Sequence, residues 1–577
     1  MHNFSLSTTI VTFLNSLESS KAKILNQSFE VFSNNLTQNY TSDISVNNSI
    51  LVVGKSKLTQ DFIDSQKNEY DIIQVDYIES FSGNLGNFSV KTPSTLLFQS
   101  NKDFSHSATD STLETQLETQ IEKSNNFNTK SKQPKQIETN INASSQTIKN
   151  KDLQIKVAQI VFFSKFEILK PQLGIHFAND FNSQESLINE IDSLIGDFSF
   201  EKTILYDENK CQYFHRDKNE LSYCHLCANI CPNIAISKDD SIRELKFSDL
   251  DCITCGLCVN ICPSGAMQKA NASLINFTKA LKLYKNKPIL ILSQNFIDEI
   301  PHKLAESLVE SINQSELFPL ILPNINMLNE VYLLSILQES ARECIILGEV
   351  ENLLKESIDY VNILYTTIFK KQVIHFRDLN NVKDTETILD SINSLVLKEI
   401  ALVRIPHYSY EVSSEEFSRE IFSNRLKYFI KDSDFGILPN AKNILYTNLL
   451  IDSSKCTLCM SCVESCNAKA LISSKDNFSL LLNPSLCTTC GICEDICPEA
   501  AISIPFSGFE LKNSFLNYNV KAKDEPFACI ECGKVFASTK SIQKVKSIMQ
   551  PIFGNNEVKN KTLLCCSDCK VKVMFNG

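Results

Sequence analysis

The residues of this chain that could do chemistry are its cysteines, which number 22 in 577 residues. Near the C-terminal end, four of them follow the spacing C-x2-C-x2-C-x3-C: Cys456, Cys459, Cys462 and Cys466. A second run repeats that spacing and is followed by Pro498: Cys487, Cys490, Cys493 and Cys497. Thiolates are soft ligands for transition metals, whereas disulfide frameworks belong mainly to short secreted chains. These spacings therefore predict metal binding.

The spacing is the one by which bacterial ferredoxins hold a cubane [4Fe-4S] cluster. Three thiolates in the tight loop reach one cluster, while the fourth begins a helical turn that points away and ligates the other cluster. Zinc or plain core cysteines would not explain two runs at matched spacing. We predict two ligand sets here, named set 2b (Cys456, Cys459, Cys462, Cys497) and set 2a (Cys466, Cys487, Cys490, Cys493).

A near copy of this pattern lies upstream. Cys252, Cys255, Cys258 and Cys262 form a complete run, and Cys224, Cys227 and Cys231 form an incomplete one. The offset from Cys231 to Cys252 is 21 residues, the same as from Cys466 to Cys487, which indicates an internal repeat. A small residue followed by an apolar one comes shortly after the last cysteine of each run. We expect each pair to begin a short strand that shields the clusters: Ala235-Ile236, Ala266-Met267, Ala470-Leu471 and Ala501-Ile502.

The first run departs from the repeat because Leu221 stands where its first cysteine is expected. Cys211 lies ten residues earlier and has no other explanation, so we predict that it supplies the missing thiolate. A three-iron cluster, or a histidine ligand from His215 or His225, is the alternative. A ligand loop changed in this way would alter the solvent exposure and the hydrogen bonding of its cluster. Both properties tune the reduction potential of the cluster. The predicted ligands are set 1b (Cys211, Cys224, Cys227, Cys262) and set 1a (Cys231, Cys252, Cys255, Cys258).

Residues 207–270 and 450–505 resemble bacterial dicluster (2[4Fe-4S]) ferredoxins. The resemblance implies four [4Fe-4S] clusters and the small ferredoxin fold, in which each pseudosymmetric half gives a hairpin and a short helix. It also implies one-electron transfer without substrate chemistry.

The third cysteine group has the pattern C-x2-C-G followed by C-C-x2-C and resembles a zinc ribbon, in which two thiolate knuckles close a tetrahedral site. The predicted zinc ligands are Cys529, Cys532, Cys566 and Cys569, and Cys565 is not a predicted ligand. A fifth iron–sulfur cluster or no metal at all is the alternative. Eight lysines surround this group, either as a solvated face that offsets thiolate charge or as a docking patch for an acidic partner: Lys534, Lys540, Lys544, Lys546, Lys559, Lys561, Lys570 and Lys572.

Composition and charge limit the partners. A formal net charge of -11 argues against nucleic acid and anionic membranes as the main partners. No run of about 20 apolar residues exists that would span a bilayer. The N-terminus has no basic segment followed by a cleavage site, so we expect no signal peptide and a cytoplasmic location.

The predicted fold class is α/β plus α+β, with two ferredoxin-like dicluster modules set between α/β scaffold domains. Apolar runs such as Ile50–Val53 and Pro288–Leu292 predict buried strands, and the alternation of strands with helices predicts a parallel sheet. The predicted domains are an N-terminal α/β domain in two parts (1–97 and 154–206), a disordered insertion (98–153), dicluster module 1 (207–275), a middle α/β domain (276–447), dicluster module 2 (448–506), and a linker with a Cys-rich ribbon-like tail (507–577).

These patterns predict an iron–sulfur electron-transfer protein, a polyferredoxin, without a catalytic site of its own. By analogy, its partner would be a redox enzyme of the formate dehydrogenase or hydrogenase type. An accessory subunit or maturation factor of such an enzyme is the alternative. An enzyme with a site in the middle domain is a third possibility, but His375, His407 and Asp432 stand alone and form no catalytic constellation. Cys344, in an apolar run, is predicted to be a buried structural thiol.

Overall fold

A computed structural model describes most of the chain: residues 7–33, 41–92, 96–99, 147–148, 153–163, 172–213, 224–240, 243–379, 405–474 and 477–576. The chain divides into two compact units, one of Met1–Ser42 with Phe200–Gly577 and the other of Asp43–Ser199. Helices and strands are mixed throughout, which confirms the predicted fold class. Within the described residues, no helix is long and apolar enough to cross a membrane.

The smaller unit is an α/β domain. Its main sheet has six strands, in the order Ile175–Phe177, Gln159–Phe162, Ser49–Val53, Asp71–Val75, Leu96–Gln99 and Thr147–Ile148. The first four strands are parallel, and the helices Lys57–Gln66 and Gln184–Ser193 belong to the same unit. Apolar side chains pack on both faces of the sheet, as is typical of parallel strands.

Strands extend into both ends of the predicted insertion (98–153). Leu96–Gln99 pairs with Thr147–Ile148, and Phe88–Thr92 pairs between Ser80–Ser82 and Leu153–Val157. The rest of that predicted segment, residues 100–146 and 149–152, lies outside the described residues.

A four-stranded parallel sheet forms the centre of the larger unit. The strand order is Phe318–Leu322, Ile289–Ser293, Cys344–Gly348, Ile374–Asp378. The helices before, between and after these strands are Leu274–Leu281, Gln294–Glu299, His302–Gln314, Glu330–Ser340, Asn352–Phe369 and Ser418–Ile430. The predicted parallel sheet is confirmed, although the strand Ile374–Asp378 was not predicted.

Successive side chains of this sheet enter two different cores because side chains alternate along a strand. Ile289 and Ile291 face one core, while Leu290 and Leu292 face the other. The second core includes the N-terminal helices Thr8–Ser16 and Ser19–Ser33. These helices therefore cover the central sheet. The predicted domain boundaries place them instead in the N-terminal α/β domain, because their apolar residues do not indicate which sheet they contact.

Each dicluster module contains two strand pairs and two short helices. In module 1, Ile204–Tyr206 pairs with Met267–Lys269, and Ile236–Asp239 pairs with Glu244–Phe247. In module 2, the corresponding pairs are Leu450–Ile451 with Ile502–Ser503, and Leu471–Ser474 with Ser479–Leu482. The helices are Leu226–Ile230, Leu257–Ile261, Ser461–Glu464 and Ile492–Asp495. All four predicted small-then-apolar pairs lie at the start of a strand, as expected.

Module 2 extends beyond the predicted boundary at residue 506. Asn519–Lys523 adds a third strand to its hairpin, and Phe509–Lys512 pairs with Asp434–Leu438. The C-terminal segment follows with the hairpin Pro526–Ala528 and Val535–Ser538 and the helices Thr539–Phe553, Glu557–Thr562 and Ser567–Asn576.

The helix Ser418–Ile430, called the connecting helix, is held to the central domain by a buried ion pair. Arg425 Nη2 lies 3.1 Å from Glu339 Oε1, and the two side chains are 0% and 1% exposed. Gln338 accepts a hydrogen bond from Arg425 Nη1 and donates one to the Arg425 carbonyl. The connecting helix is thereby fixed in rotation and in position along its axis.

Replacing Arg425 by Met should lower the free energy of unfolding by about 3 kcal/mol, because Glu339 would remain buried without its partner. Urea unfolding under anaerobic conditions, followed by circular dichroism, measures the change. The matched control is Lys67→Met, which removes the exposed partner of Asp64 and should cost no more than about 0.5 kcal/mol. Equal losses in the two variants would contradict a structural role for the buried pair.

Candidate metal centres

The loops that carry the complete cysteine runs share an unusual backbone conformation. Two residues in each loop have positive φ, namely Thr254 and Gly256, Leu458 and Met460, and Thr489 and Gly491. Alternation of right- and left-handed residues turns successive backbone N–H groups toward a common centre, which forms an anion-binding nest. The C-x2-C-x2-C spacing thus places thiolates and N–H donors around the same point.

Those donors reach the sulfur atoms. In every run, the backbone N–H two residues after a ligand cysteine donates to its sulfur: Leu226 to Cys224, Leu257 to Cys255, Leu458 to Cys456 and Thr489 to Cys487. The small residue that begins the following strand makes a similar contact, since Ala235 N lies 3.2 Å from Cys231 Sγ and Ala501 N lies 3.3 Å from Cys497 Sγ. A hydrogen bond to an ionised sulfur stabilises its charged form.

Three cavities show which cysteines face one another. One of about 480 Å³ is lined by all of set 1a, one of about 380 Å³ by all of set 2a, and one of about 360 Å³ by all of set 2b, counting space open to solvent. Each set combines three cysteines of one run with the fourth of the other run. The structure thus brings together the groups that the ferredoxin spacing predicts.

Set 1b includes the displaced cysteine. Burial raises the pKa of Cys224 to about 12, and the charges of Cys262 and Cys211 add to that effect. These three thiols are therefore neighbours. Tyr213 N lies 3.4 Å from Cys211 Sγ, which repeats the contact that the other ligand cysteines receive two residues later. His225, the alternative ligand, lies at the N-terminus of the helix Leu226–Ile230, and burial lowers its pKa. His215 lies outside the described residues.

The chemistry of these sets fits a cationic cluster. Burial, and then the neighbouring sulfurs, raise the pKa of Cys462 and of Cys487 to about 12 and that of Cys493 further. Four thiols packed in such a cavity ionise at neutral pH only if positive charge is bound among them, because burial and like charges both oppose ionisation. Iron supplies that charge, and the sixteen cysteines are the residues that would hold it.

Comparison with known families agrees with this geometry. Residues 222–266 and residues 455–502 each match a model described as a 4Fe-4S dicluster domain. The chain carries two 4Fe-4S dicluster domains. They imply about four [4Fe-4S] clusters and an iron–sulfur electron-transfer role. The first match begins after Cys211, and no curated protein matches the chain.

Two cations that lie beside the ligand sets were not predicted from the sequence. Lys269 is 4% exposed, and burial lowers its pKa. The charges of the nearby Cys252, Cys258 and Cys255 act in the opposite direction and raise that pKa. Arg419 of the connecting helix donates to the carbonyl of Cys487 and lowers the pKa of that thiol against the effect of burial. A lysine in a strand and an arginine in a helix carry no motif, so only the fold could show these contacts.

The C-terminal cysteines form a smaller site. The ligand atoms of Cys529, Cys532, Cys566 and Cys569 all lie within 4.8 Å of one another. Cys529 and Cys532 occupy a turn between two strands, but Cys566 and Cys569 lie at the start of the helix Ser567–Asn576 rather than in a second hairpin. The x2 spacing allows this because residues three apart share one side of a helix. Cys565 donates to the Lys561 carbonyl.

Cys344 and His375 lie apart from these centres. Cys344 is 0% exposed in the central sheet, and burial raises its pKa, which confirms a buried structural thiol. His375 Nε2 lies 3.3 Å from Glu343 Oε2. Neither residue joins a ligand set.

Replacing Cys211 by Ser should remove a ligand from set 1b and lower the iron content from about 16 atoms to about 15, for a three-iron cluster, or about 12, for a lost cluster. Iron and sulfide counts on anaerobically purified protein measure this change. Cys565→Ser is the control, because a hydroxyl can keep the hydrogen bond to Lys561, and it should retain full iron. An unchanged iron count in Cys211→Ser would mean that another group completes the cluster.

Replacing Lys269 by Met should lower the reduction potential of the set 1a cluster, because a buried cation stabilises the more negative reduced state. A loss of about 1.4 kcal/mol corresponds to roughly 60 mV for a one-electron couple. Redox titration followed by EPR measures the shift. Lys246→Met removes an exposed charge of the same module and should leave the potential unchanged; equal shifts in both variants would contradict a specific effect of Lys269.

Proposed function

We propose that this protein is a polyferredoxin that passes single electrons between a redox enzyme and an acceptor. When bound, a cubane cluster accepts or releases one electron at a time. The observation that supports this proposal is the placement of the sixteen ligand cysteines: all are buried or half-buried except Cys459 of set 2b, which is exposed. A carrier needs clusters that are shielded from water and one edge at which a partner can approach.

The basic C-terminal segment lies beside that edge. Lys540 Nζ donates to the Ser453 carbonyl at 2.7 Å, and Lys544 Nζ lies 2.9 Å from Glu499 Oε2. Lysines next to an exposed ligand on an acidic protein favour an acidic partner surface. By analogy we propose an enzyme of the formate dehydrogenase or hydrogenase type as the partner. We place the protein in the cytoplasm, where thiols remain reduced.

We further propose that the C-terminal site binds one zinc ion. A tetrahedral site with Zn–S bonds of about 2.3 Å holds its sulfurs about 3.8 Å apart. Cys532 Sγ and Cys566 Sγ lie 3.7 Å apart, whereas a cubane would separate its ligands more widely because they bind at different corners. Backbone N–H groups of Cys566, Cys532 and Glu531 lower the pKa of Cys529 against the effect of desolvation, which prepares a thiolate for a metal. Zinc would thus fix the basic segment beside set 2b.

Anaerobically purified protein should contain about 16 iron, about 16 sulfide and one zinc, and dithionite should reduce its clusters to EPR-active states. Cys532→Ser should lose the zinc and keep the iron, which separates the two kinds of site. Full iron without any reducible cluster would overturn the carrier and favour the accessory or maturation role. Zinc that survives Cys532→Ser would overturn the zinc assignment alone.

A further inference from the structure

One hydrogen bond joins two residues at which the chain departs from the cysteine repeat. Three of the four cysteine runs are followed by a proline (Pro232, Pro263, Pro498), but the run that ends at Cys466 is followed by Asn467. The other departure is the displaced ligand Cys211. Asn467 Nδ2 donates to the Cys211 carbonyl at 2.9 Å. Proline could not make this contact, because it has no side-chain donor.

This hydrogen bond joins two ligand sets from different modules. Cys211 belongs to set 1b, and Asn467 follows Cys466 of set 2a. Gln212, the residue after Cys211, is 2% exposed and lines the cavity enclosed by set 2a. The two sets are therefore neighbours across the boundary between the modules.

A third departure lies in module 1, three residues after Cys262 of set 1b. The third residue after the last cysteine has positive φ in all four runs, and it is Ile234, Lys469 or Ala500 in three of them. A side chain is thus compatible with that backbone conformation. The fourth is Gly265, where an added Cβ would lie 2.1 Å from Ser418 Oγ and 3.2 Å from Ser418 N. Glycine is needed there for the close approach of the connecting helix.

The connecting helix contacts both modules with adjacent residues. Ser418 N donates to the Ser264 carbonyl of module 1 at 3.2 Å, and Arg419 donates to the Cys487 carbonyl of module 2. Ser423 accepts a hydrogen bond from Ser485 at 2.9 Å, also from module 2. Because the same helix is anchored to the central domain by Arg425, it limits the relative movement of the modules.

We propose that Cys211, Asn467 and Gly265 form a junction that holds set 1b against set 2a, so that the four sets make one electron path in the order 1a, 1b, 2a, 2b. This proposal rests on the proposed function as an electron carrier. In the step across the junction, one electron leaves a reduced site and enters its oxidised neighbour; no bond forms and no proton moves. The displaced ligand thus has two roles, as a thiolate and as the contact between modules.

The test replaces Asn467 by Asp, which keeps the size of the side chain but turns the donor into an acceptor that repels the Cys211 carbonyl. The matched control is Asn517→Asp, on an exposed residue of module 2 whose side chain donates to nearby Asn513. The second variant, Gly265→Ala, weakens the junction from the other side. Iron and sulfide counts first establish that all variants hold a full set of clusters.

Two readouts report on the junction. Freeze-quench EPR after photoreduction by less than one electron follows the redistribution of electrons between modules, and hydrogen exchange follows the amide of Tyr213. In Asn467→Asp we expect redistribution to slow, and exchange of the Tyr213 amide to become at least about fivefold faster, equivalent to about 1 kcal/mol for one lost hydrogen bond. Gly265→Ala should slow redistribution as well, and Asn517→Asp should match the unmodified protein.

Redistribution that is unchanged in both Asn467→Asp and Gly265→Ala would overturn the junction. So would an unmodified protein whose modules exchange no electrons although each can be reduced. That result would leave the carrier function intact, with two independent diclusters. Clusters that cannot be reduced at all would instead overturn the proposed function itself.

Discussion

Buried thiolates repel one another, and the cluster-binding loops are built to offset that repulsion. To hold four clusters, the sixteen predicted ligand cysteines would lose their protons inside cavities that largely exclude water, and burial and like charge both oppose this. Backbone N–H groups in left-handed turns, the cations Lys269 and Arg419, and bound iron offset that cost together. Each of these partners must be held within reach of the sulfurs, which explains why the loops are short and their backbone conformations repeat.

The α/β scaffold positions the partners that short loops cannot supply. Cys227 and Cys258 share a continuous core with the helices that cover one face of the central sheet, so module 1 is not an independent small protein. Module 2 has its own core and meets the scaffold through the connecting helix. The buried Arg425–Glu339 pair fixes that helix, and the helix in turn places Arg419 against Cys487. A structural interaction in the scaffold thereby determines the charge beside a ligand.

The sequence predicted the parts of the molecule that local spacing determines. The cysteine runs, the strands that begin at Ala235-Ile236 and its three equivalents, and three of the four parallel strands of the central sheet follow from patterns within about ten residues. The partners of Lys269 and Arg419, the packing of the N-terminal helices and the third strand Asn519–Lys523 depend on contacts between distant segments, which one sequence does not reveal. Asn467 was visible as a departure from the repeat, but its meaning depends on the residue that it meets.

Anomalous diffraction from anaerobically grown crystals, measured at the iron and zinc absorption edges, would locate every metal ion in the protein. We expect four iron clusters, at sets 1a, 1b, 2a and 2b in a continuous series, with Cys211 bound to iron and a single zinc peak between Cys529, Cys532, Cys566 and Cys569. Iron at fewer sites, a Cys211 sulfur remote from any iron, or a gap between the clusters of sets 1b and 2a would contradict this expectation.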